Sequence, residues 1–232
     1  MPNTKTKHAL KVAIFGGNGF VGSHIAKELA NRGVCVVCVS RTGYKPAHLR
    51  SEKWSETVRW GKGDASQANN DCLKQVDVVI STVGSPPLPT FSKAAFDKQL
   101  FANGTCNTRL IASAKSAGIK QIVLLGANIP WPLNRDSFAY AKGKRLSYTA
   151  AENFSNESPE HSSLLLQPGA VLGKRYTASG KCIPLDTLLA PFNFIMPKQF
   201  VNVEKIATRI ADELLSTKSF KPQFKVIKNA NI

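Results

Sequence analysis

The stretch "KVAIFGGNGFVGSHIAKELANRG", residues 11–33, decides the fold. Its first five residues form a short apolar run typical of a buried strand, and its last sixteen have helical periodicity with Gly33 as the stop. Glycines between the two segments follow the spacings Gly17-x-Gly19-x-x-Gly22 and Gly16-x-x-Gly19-x-x-Gly22. A glycine-rich turn placed between a strand and a helix predicts a dinucleotide-binding βαβ unit.

Glycine suits each position of this loop for a physical reason. A tight turn requires positive φ, close approach of a pyrophosphate requires a position without Cβ, and helix–strand packing requires a third small residue. The unpaired N–H groups and positive dipole of a helix starting near Gly19 then hold the phosphates. An ordinary glycine-rich turn is the alternative. We expect cofactor contacts from Gly16, Gly19, Phe20, Val21 and Gly22.

The remaining chain continues the alternation of strand and helix. Strand-like runs occupy 34–40, 57–60, 77–82, 121–126, 162–167 and, at the end, 223–228, whereas helical stretches occupy Phe91 to Ala117, the segment around Tyr140, and 203–215. Continuous Val, Ile and Leu strands separated by helices imply an α/β fold with a doubly wound parallel sheet of Rossmann type. We expect a single domain over residues 1–232, with a core at about 11–170 and a small C-terminal substrate-side extension at about 171–232.

The end of the second predicted strand bears on the choice of cofactor. The stretch "VSRTGYK" places Ser40 and Arg41 there, and no acidic residue occurs before Glu52. A carboxylate would accept hydrogen bonds from the ribose of NAD but repel a 2′-phosphate, which an arginine can bind in bidentate fashion. We therefore favour NADP(H) and keep NAD(H) as the alternative. The alternative interpretation is that Arg41 faces solvent and contacts no cofactor.

Five further residues along the predicted cleft are candidate cofactor contacts. Asp64 and Ala65, in "KGDAS", lie where an adenine contact is plausible, although Asp64 could equally cap a helix, with Ser66 competing for that role. Gly84 closes "ISTVG" and lets backbone approach the nicotinamide side. Pro168 and Gly169 form a turn expected to border the nicotinamide.

Charge and composition limit the partners. Thirty-one basic residues against 15 acidic ones give a net charge of +16, of which a dinucleotide needs only two or three positive contacts. An anionic membrane surface, an acidic protein partner and a plainly solvated surface remain open. Nucleic acid is disfavoured, because the basic residues are spread along the chain without a stacking motif. The histidines show no metal-ligand spacing, so no metal site is predicted.

Two observations bear on the compartment. The longest apolar run, "LLAPFNFIMP" (188–197), is about half the length that a transmembrane helix needs, and Pro191 interrupts it. Five scattered cysteines, Cys35, Cys38, Cys72, Cys106 and Cys182, are interpreted as reduced core thiols. We expect an intracellular protein, soluble or peripherally membrane-associated, with the cytoplasm and the mitochondrial matrix both open.

The stretch "AYAKGKRLSY" (139–148) places Tyr140 and Lys144 four residues apart on one face of a predicted helix. Together with the glycine loop, "GDAS", "VDVVISTVG", "NGTCNTRLIASAKSAGIKQIVLLGA" and "LLLQPGAVLG", this pair resembles the short-chain dehydrogenase/reductase superfamily in its extended and atypical branches, which include NAD(P)-binding epimerase/dehydratase-like proteins. The likeness runs from Lys11 to about Leu215. The stretches "GGNGFVGSHIAKELANRGVCVVCVSRTGYKP" and "WSETVRWGKGDA" are similar to a smaller group, which contains ubiquinone-biosynthesis-associated members and the NADPH-binding accessory subunit of respiratory complex I.

The resemblance implies roles for individual residues. Tyr140 would exchange a proton with the substrate oxygen, while Lys144 would bind the nicotinamide ribose and lower the pKa of the tyrosine. Asn103 matches a helix asparagine that supports the lysine. The chain departs from the pattern where active relatives have an oxygen-polarising serine, because Gly126 or Ala127 stands there. Gln167 likewise stands where an arginine is frequent.

Two functions are compatible with these residues. The first is an NADP(H)-binding oxidoreductase acting on a small or apolar carbonyl or quinone-type substrate, with Tyr140 as acid/base and Lys144 as ribose anchor. The second is a dinucleotide-binding assembly or regulatory factor, with weak or no catalysis, that docks on a membrane or a protein complex. Several members of the smaller group are regarded as factors of the second kind.

Overall fold

A seven-stranded parallel sheet forms the centre of the computed structural model, which describes residues 9–67, 71–177, 179–216 and 223–232. The strands are β1 (Lys11–Phe15), β2 (Cys35–Ser40), β3 (Arg59–Lys62), β4 (Val78–Ser81), β5 (Gln121–Leu125), β6 (Ser162–Gln167), β7 (Ala170–Leu172), β8 (Lys174–Tyr176), β9 (Cys182–Pro184), β10 (Phe200–Asn202) and β11 (Phe224–Lys228). The main sheet has the order β11-β6-β5-β4-β1-β2-β3, and all its pairings are parallel. Outside it, β7 pairs with β10 in parallel, and β8 and β9 form an antiparallel hairpin.

Helices cover both faces of the main sheet, as the alternating pattern predicts. They are α1 (Phe20–Asn31), α2 (Lys93–Leu100), α3 (Cys106–Ser116), α4 (Ala139–Asn156), α5 (Leu185–Leu188), α6 (Ala190–Ile195) and α7 (Val203–Leu215). On one face, the buried side chains of α1 and α7 pack with β1 and β4. On the other, α3 and α4 pack over β5 and β6. The doubly wound α/β fold is confirmed.

The helix ends follow from local sequence. Gly33 and Gly118 adopt φ values of +78° and +76° directly after α1 and α3, a conformation that L side chains rarely take. Asn202 caps α7, because its side chain accepts a hydrogen bond from the Glu204 N–H at 2.9 Å. These caps place the helix boundaries within a residue or two of the predicted ones.

Two predicted elements differ in detail. The strand predicted at 57–60 is β3 at Arg59–Lys62, because the Thr57 N–H and hydroxyl both donate to the Trp54 carbonyl and close a 3-10 turn first. The helix predicted from Phe91 to Ala117 begins at Lys93 and contains a π-helical turn at Phe101–Thr105 between α2 and α3. That turn brings Gly104 against α4, where a Cβ would lie 3.0 Å from Gly143 Cα.

The last part of the chain, α7 and β11, belongs to the main sheet and the helix layer that covers it. Ile206 and Ile210 of α7 are buried in the same cluster as Ile25 and Leu29 of α1. Strand β11 pairs with β6 over five residues and closes the edge of the sheet. Between these elements and β6, residues 168–202 form an excursion that carries β7 to β10 with the short helices α5 and α6.

The description of the cysteines as core thiols is wrong for two of the five. Cys35 begins β2 on its exposed side and Cys182 lies in the exposed β8–β9 hairpin, whereas the other three are buried. Burial raises the pKa of Cys38 to about 12, which suppresses its thiolate. All five thiols are free. Across the described ranges, none of the helices combines the length and apolarity required to cross a bilayer.

Candidate functional site

The strand order reverses between β1 and β4, and the segments that follow these two strands meet there. Ligands of open α/β sheets bind in this crevice, at the carboxyl ends of the strands. The Thr82 N–H and hydroxyl donate to the Phe15 carbonyl at 2.9 and 3.1 Å, which ties the end of β4 to the end of β1. Gly16 has φ of +83°, and a Cβ there would lie 2.6 Å from Thr82 Oγ1. A Cβ on Gly22 would lie 2.2 Å from the Gly16 carbonyl oxygen.

The first turn of α1 faces this crevice with its N–H groups uncapped by any side chain. Gly19 is the exposed N-cap residue, with extended backbone and no side-chain cap, and the first turn carries no acidic residue. Uncapped N–H groups at a positive helix end form an anion site. Phe20 and Val21 are half-buried in this turn. The geometry fits a pyrophosphate, and cofactor contacts from these loop residues remain predictions.

The adenosine end of the crevice has a basic residue and no acid at the end of β2. The Ser40 hydroxyl accepts a hydrogen bond from the Gly43 N–H at 3.0 Å and shapes the turn that follows the strand. Arg41 is exposed, and in the described ranges its guanidinium makes no hydrogen bond or ion pair. An exposed guanidinium at this place is compatible with a phosphate ligand.

Asp64 is engaged in its own turn. Its carboxylate accepts hydrogen bonds from the Ser66 N–H and hydroxyl, both at 2.8 Å, and these bonds with the nearby charge of Arg41 lower the pKa of Asp64. Ser66 therefore supports Asp64 and does not compete with it as a cap. Ala65 is buried in the hydrophobic cluster below α3. Adenine contacts from Asp64 and Ala65 remain predictions.

At the other end of the crevice, the structure brings Tyr140 and Lys144 together. Lys144 Nζ donates to the Leu125 carbonyl at 2.8 Å and lies 5.6 Å from the centroid of the Tyr140 ring. Burial lowers the pKa of Lys144 to about 8 and raises the pKa of Tyr140 to about 12. The implied lowering of the tyrosine pKa by the lysine is therefore absent from this structure, because desolvation of the phenol prevails.

Asn103 is hydrogen-bonded to the loop after β4, beside Lys144, and its expected support of the lysine remains a prediction. Its Nδ2 donates to Ser85 Oγ at 2.8 Å, and its Oδ1 accepts from the Ser85 N–H at 3.2 Å. Gly84 lies between the Asn103 amide and the Lys144 ammonium. A Cβ on Gly84 would lie 2.7 Å from Asn103 Oδ1 and 3.7 Å from Lys144 Nζ. Ser85 is absent from the sequence prediction, and its only signal is its position beside Gly84.

Gly126, which stands where active relatives have a serine, lies in a crowded position. The Gly126 N–H continues the sheet by donating to the Leu166 carbonyl at 2.7 Å. A Cβ on Gly126 would lie 3.0 Å from that carbonyl oxygen and 3.2 Å from Leu165 Cδ1. A side chain at this position would therefore require β6 to shift by a few tenths of an ångström, whereas Ala127 is half-buried at the next position.

Pro168 and Gly169 form a turn that is fixed by distant residues. The Pro168 carbonyl accepts from the Asn128 N–H at 2.7 Å, and the Gly169 N–H donates to Asn229 Oδ1 at 2.7 Å. A Cβ on Gly169 would lie 2.0 Å from the Gln199 carbonyl oxygen. The sequence prediction omits Asn229, because sixty residues separate it from this turn. Nicotinamide contacts at Pro168 and Gly169 remain predictions.

A cavity of about 350 Å³ lies beside the glycine loop, on the outer side of α1. It is lined by Asn18, Gly19, Phe20, Ser23, His24, Lys27, His48, Leu49, Glu52, Trp54, Gly173, Lys174, Tyr176, Asp186, Asn202 and Glu204. Neither Tyr140 nor Lys144 contributes to it. Within the part of the chain that the structure describes, no cluster of His, Cys, Asp and Glu side chains could hold a metal ion.

With this geometry established, comparison with known proteins identifies the family. Residues 12–185 match the model of the NAD dependent epimerase/dehydratase family. The chain belongs to that family. A chloroplastic protein of Arabidopsis thaliana, described as uncharacterised, is 33% identical over 189 residues, which cover 80% of this chain and 58% of the plant protein. The chain thus matches less than two thirds of that relative.

Two shorter matches are to proteins named for their roles in complexes. MIOREX complex component 2 of Saccharomyces cerevisiae is 33% identical over 78 residues, which cover 32% of this chain and 28% of the yeast protein. Photosystem II assembly factor Ycf39 of Synechocystis is 28% identical over 116 residues, covering 49% of this chain and 32% of that protein.

Solved structures confirm the fold of this family member. A UDP-glucose 4-epimerase from Bifidobacterium longum, in complex with NAD+ and UDP, superposes with a TM-score of 0.70 at 16% identity over 94% of this chain and 77% of the epimerase. A short-chain dehydrogenase/reductase from Serratia marcescens gives a TM-score of 0.69 at 18% identity, covering 95% of this chain and 96% of that one. The predicted family resemblance and Rossmann architecture are confirmed.

Proposed function

We propose that the chain is an NADP(H)-binding oxidoreductase that reduces an apolar carbonyl or quinone-type compound. The observation that carries the proposal is the placement of Tyr140 and Lys144 at the same crevice as an uncapped glycine loop. Gly16, Gly19, Phe20, Val21 and Gly22 would hold the pyrophosphate, while Gly84, Pro168 and Gly169 would border the nicotinamide. Bound NADPH would supply the hydride.

The preference for NADP(H) rests on the end of β2. Arg41 is exposed there without a hydrogen-bonding partner among the described residues, and Ser40 provides a hydroxyl beside it. A guanidinium binds a 2′-phosphate through charge-assisted hydrogen bonds. No carboxylate follows β2 in the positions that would bind the ribose of NAD.

The protonation state of Tyr140 favours reduction over oxidation. A pKa of about 12 keeps the phenol protonated at neutral pH, so that it can donate a proton to a carbonyl oxygen but is a weak base. In the reductive direction, with the hydride supplied by the cofactor, Tyr140 would give its proton to the substrate oxygen and would regain a proton from solvent. Lys144, an ammonium below its pKa of about 8, would bind the ribose and stabilise the phenolate that forms.

Exchanging Tyr140 for Phe tests the chemical role directly. We expect Tyr140→Phe to bind NADPH as the wild type does and to lose NADPH oxidation with quinone or carbonyl acceptors by at least about a hundredfold. Tyr148→Phe is the matched control, because it lies two turns further along α4 and packs against Phe224. Equal turnover in wild type and Tyr140→Phe would refute an acid role for Tyr140.

The glycine at position 126 supports a second candidate, a dinucleotide-binding assembly factor without turnover. Loss of an oxyanion donor costs on the order of a hundredfold in rate, and Gly126 has no side chain to act as one. The names of the yeast and cyanobacterial relatives point the same way. This candidate predicts NADPH binding without turnover on any acceptor, and full biological activity of Tyr140→Phe in complementation of a deletion strain.

A further inference from the structure

Three segments leave the main sheet at the edge that holds the candidate site. Residues 82–92 follow β4, residues 126–138 follow β5, and residues 168–177 and 179–202 follow β6. Because β4, β5 and β6 are neighbouring parallel strands, these segments begin side by side at one edge of the sheet. We call them together the mouth loops, since Gly84, Gly126 and Pro168 lie at their starts.

The mouth loops carry most of the large apolar side chains that the structure leaves exposed. Nine of the thirteen such residues in the described ranges belong to them, although the loops make up about a quarter of the chain. They are Leu88, Phe91, Trp131, Leu133, Leu188, Phe192, Phe194, Ile195 and Met196. Phe91, Trp131 and Phe194 are between 89% and 95% exposed. Apolar exposure concentrated in this way indicates an interaction surface.

The residue types match those of a membrane interface. Four of the nine side chains are aromatic. In α6 and the residue that follows it, four of the nine, Phe192, Phe194, Ile195 and Met196, occur within five positions. Trp and Phe on one side of short amphipathic segments insert at the boundary between headgroups and acyl chains. The segments are too short to cross a bilayer, so they would lie in its surface.

Charge favours anionic lipid as the partner. The mouth loops contain five basic residues, Arg135, Lys174, Arg175, Lys181 and Lys198, against two acidic ones, Asp136 and Asp186. The first mouth loop is uncharged throughout, and the whole chain carries +16. Basic residues near an anionic surface each contribute to binding, in a way that salt weakens.

We propose that the mouth loops dock the protein on an anionic lipid bilayer, with Phe192, Phe194 and Ile195 inserted at the headgroup level. The docked orientation presents the Tyr140 crevice to the membrane, so that an apolar substrate enters from the lipid. That last step rests on the proposed oxidoreductase function, whereas docking itself does not.

Flotation of the full chain with lipid vesicles tests the docking. We expect the protein to float with phosphatidylcholine vesicles that contain phosphatidylglycerol and to bind pure phosphatidylcholine much more weakly, with the difference falling as sodium chloride is raised. Phe194→Ser combined with Ile195→Ser should weaken binding to the anionic vesicles by at least about tenfold. The control is Phe101→Ser combined with Leu146→Ser, two exposed apolar residues outside the mouth loops.

Three results would overturn the proposal. They are failure of the wild type to float, equal loss of binding in both double variants, and a wild-type dimer in solution that Phe194→Ser with Ile195→Ser dissociates. The last result would assign the surface to a second copy of the chain. NADPH titration of the same samples separates the two proposals, since flotation without dinucleotide binding removes only the oxidoreductase, and binding without flotation removes only the docking.

Discussion

Lys144 is the residue whose pKa burial in the fold lowers most clearly. Its ammonium is desolvated between α4 and the end of β5, and its hydrogen bond is to the Leu125 carbonyl at 2.8 Å. Such a desolvated ammonium reduces the stability of the ligand-free protein. A residue of this kind is typical of functional sites, where burial and pKa shifts serve chemistry.

Lys144→Met is therefore expected to stabilise the ligand-free protein at pH 7. A pKa lowered from 10.5 to about 8 corresponds to about 3 kcal/mol of unfavourable charge burial. The lost hydrogen bond offsets about 1 kcal/mol of that, so the free energy of unfolding should rise by about 1–2 kcal/mol. Urea denaturation at fixed pH measures it.

The pH dependence of that difference follows from the direction of the shift. Between pH 8 and 10.5 the unfolded chain holds the Lys144 proton and the folded chain does not, so the wild type gains stability as pH rises through this window. The advantage of Lys144→Met should be complete below pH 8 and disappear near pH 10.5. A variant less stable than wild type at pH 7, or a difference that grows with pH, would contradict this account.

At the scale of elements, much of the fold is predictable because the strands are buried on both faces. β1, β4, β5 and β6 are continuous apolar runs, and the glycine loop between β1 and α1 has a local sequence signature. By contrast, the start of β3 depends on hydrogen bonds of Thr57 that compete with the strand, and periodicity does not reveal them. The excursion at 168–202 has weak periodicity because many of its apolar residues face outward.

The residues of the candidate site likewise fall into a group that the sequence predicts and a group that it does not. Tyr140, Lys144 and the glycines are identifiable because their spacing is local. Ser85 and Asn229 are not, because each acts through contacts with residues far away in sequence. The crowding around Gly126 is also not identifiable, because it comes from residues of β6, which lies forty residues further along the chain.

Asn229 joins three segments, and its removal should loosen the excursion. Its Oδ1 accepts from the Gly169 N–H, and its Nδ2 donates to the Lys198 carbonyl at 2.8 Å. Asn229→Ala removes both of these part-buried hydrogen bonds, so the free energy of unfolding should fall by about 1–2 kcal/mol. Hydrogen exchange should show faster exchange at the Gly169 amide.

The matched control for this change is Asn231→Ala, at an exposed asparagine two residues further on. It should leave both the free energy of unfolding and the Gly169 exchange rate at wild-type values. Equal effects of the two variants would mean that the Asn229 hydrogen bonds do not hold the excursion in place.

At the scale of the whole molecule, the uncapped helix end, the Tyr140–Lys144 pair and the mouth loops all lie at the carboxyl edge of one sheet. Parallel topology produces this arrangement, because every strand ends at the same edge. The net charge of +16 would attract phosphates at long range, whether in a cofactor or in lipid headgroups. Half of the ion pairs among the described residues have both side chains exposed, and such pairs add little stability.

The most direct test of dinucleotide binding with a preference for the 2′-phosphate is calorimetric titration of NADPH and NADH into wild type, Arg41→Ala and Arg50→Ala. Wild type should bind NADPH more tightly than NADH. Losing the charge-assisted contact should raise the Kd for NADPH about 10- to 100-fold in Arg41→Ala and leave the Kd for NADH unchanged. Arg50→Ala, which removes an exposed arginine from the same connection, should behave as wild type. Absence of binding by either dinucleotide, or an unchanged NADPH affinity in Arg41→Ala, would contradict the account.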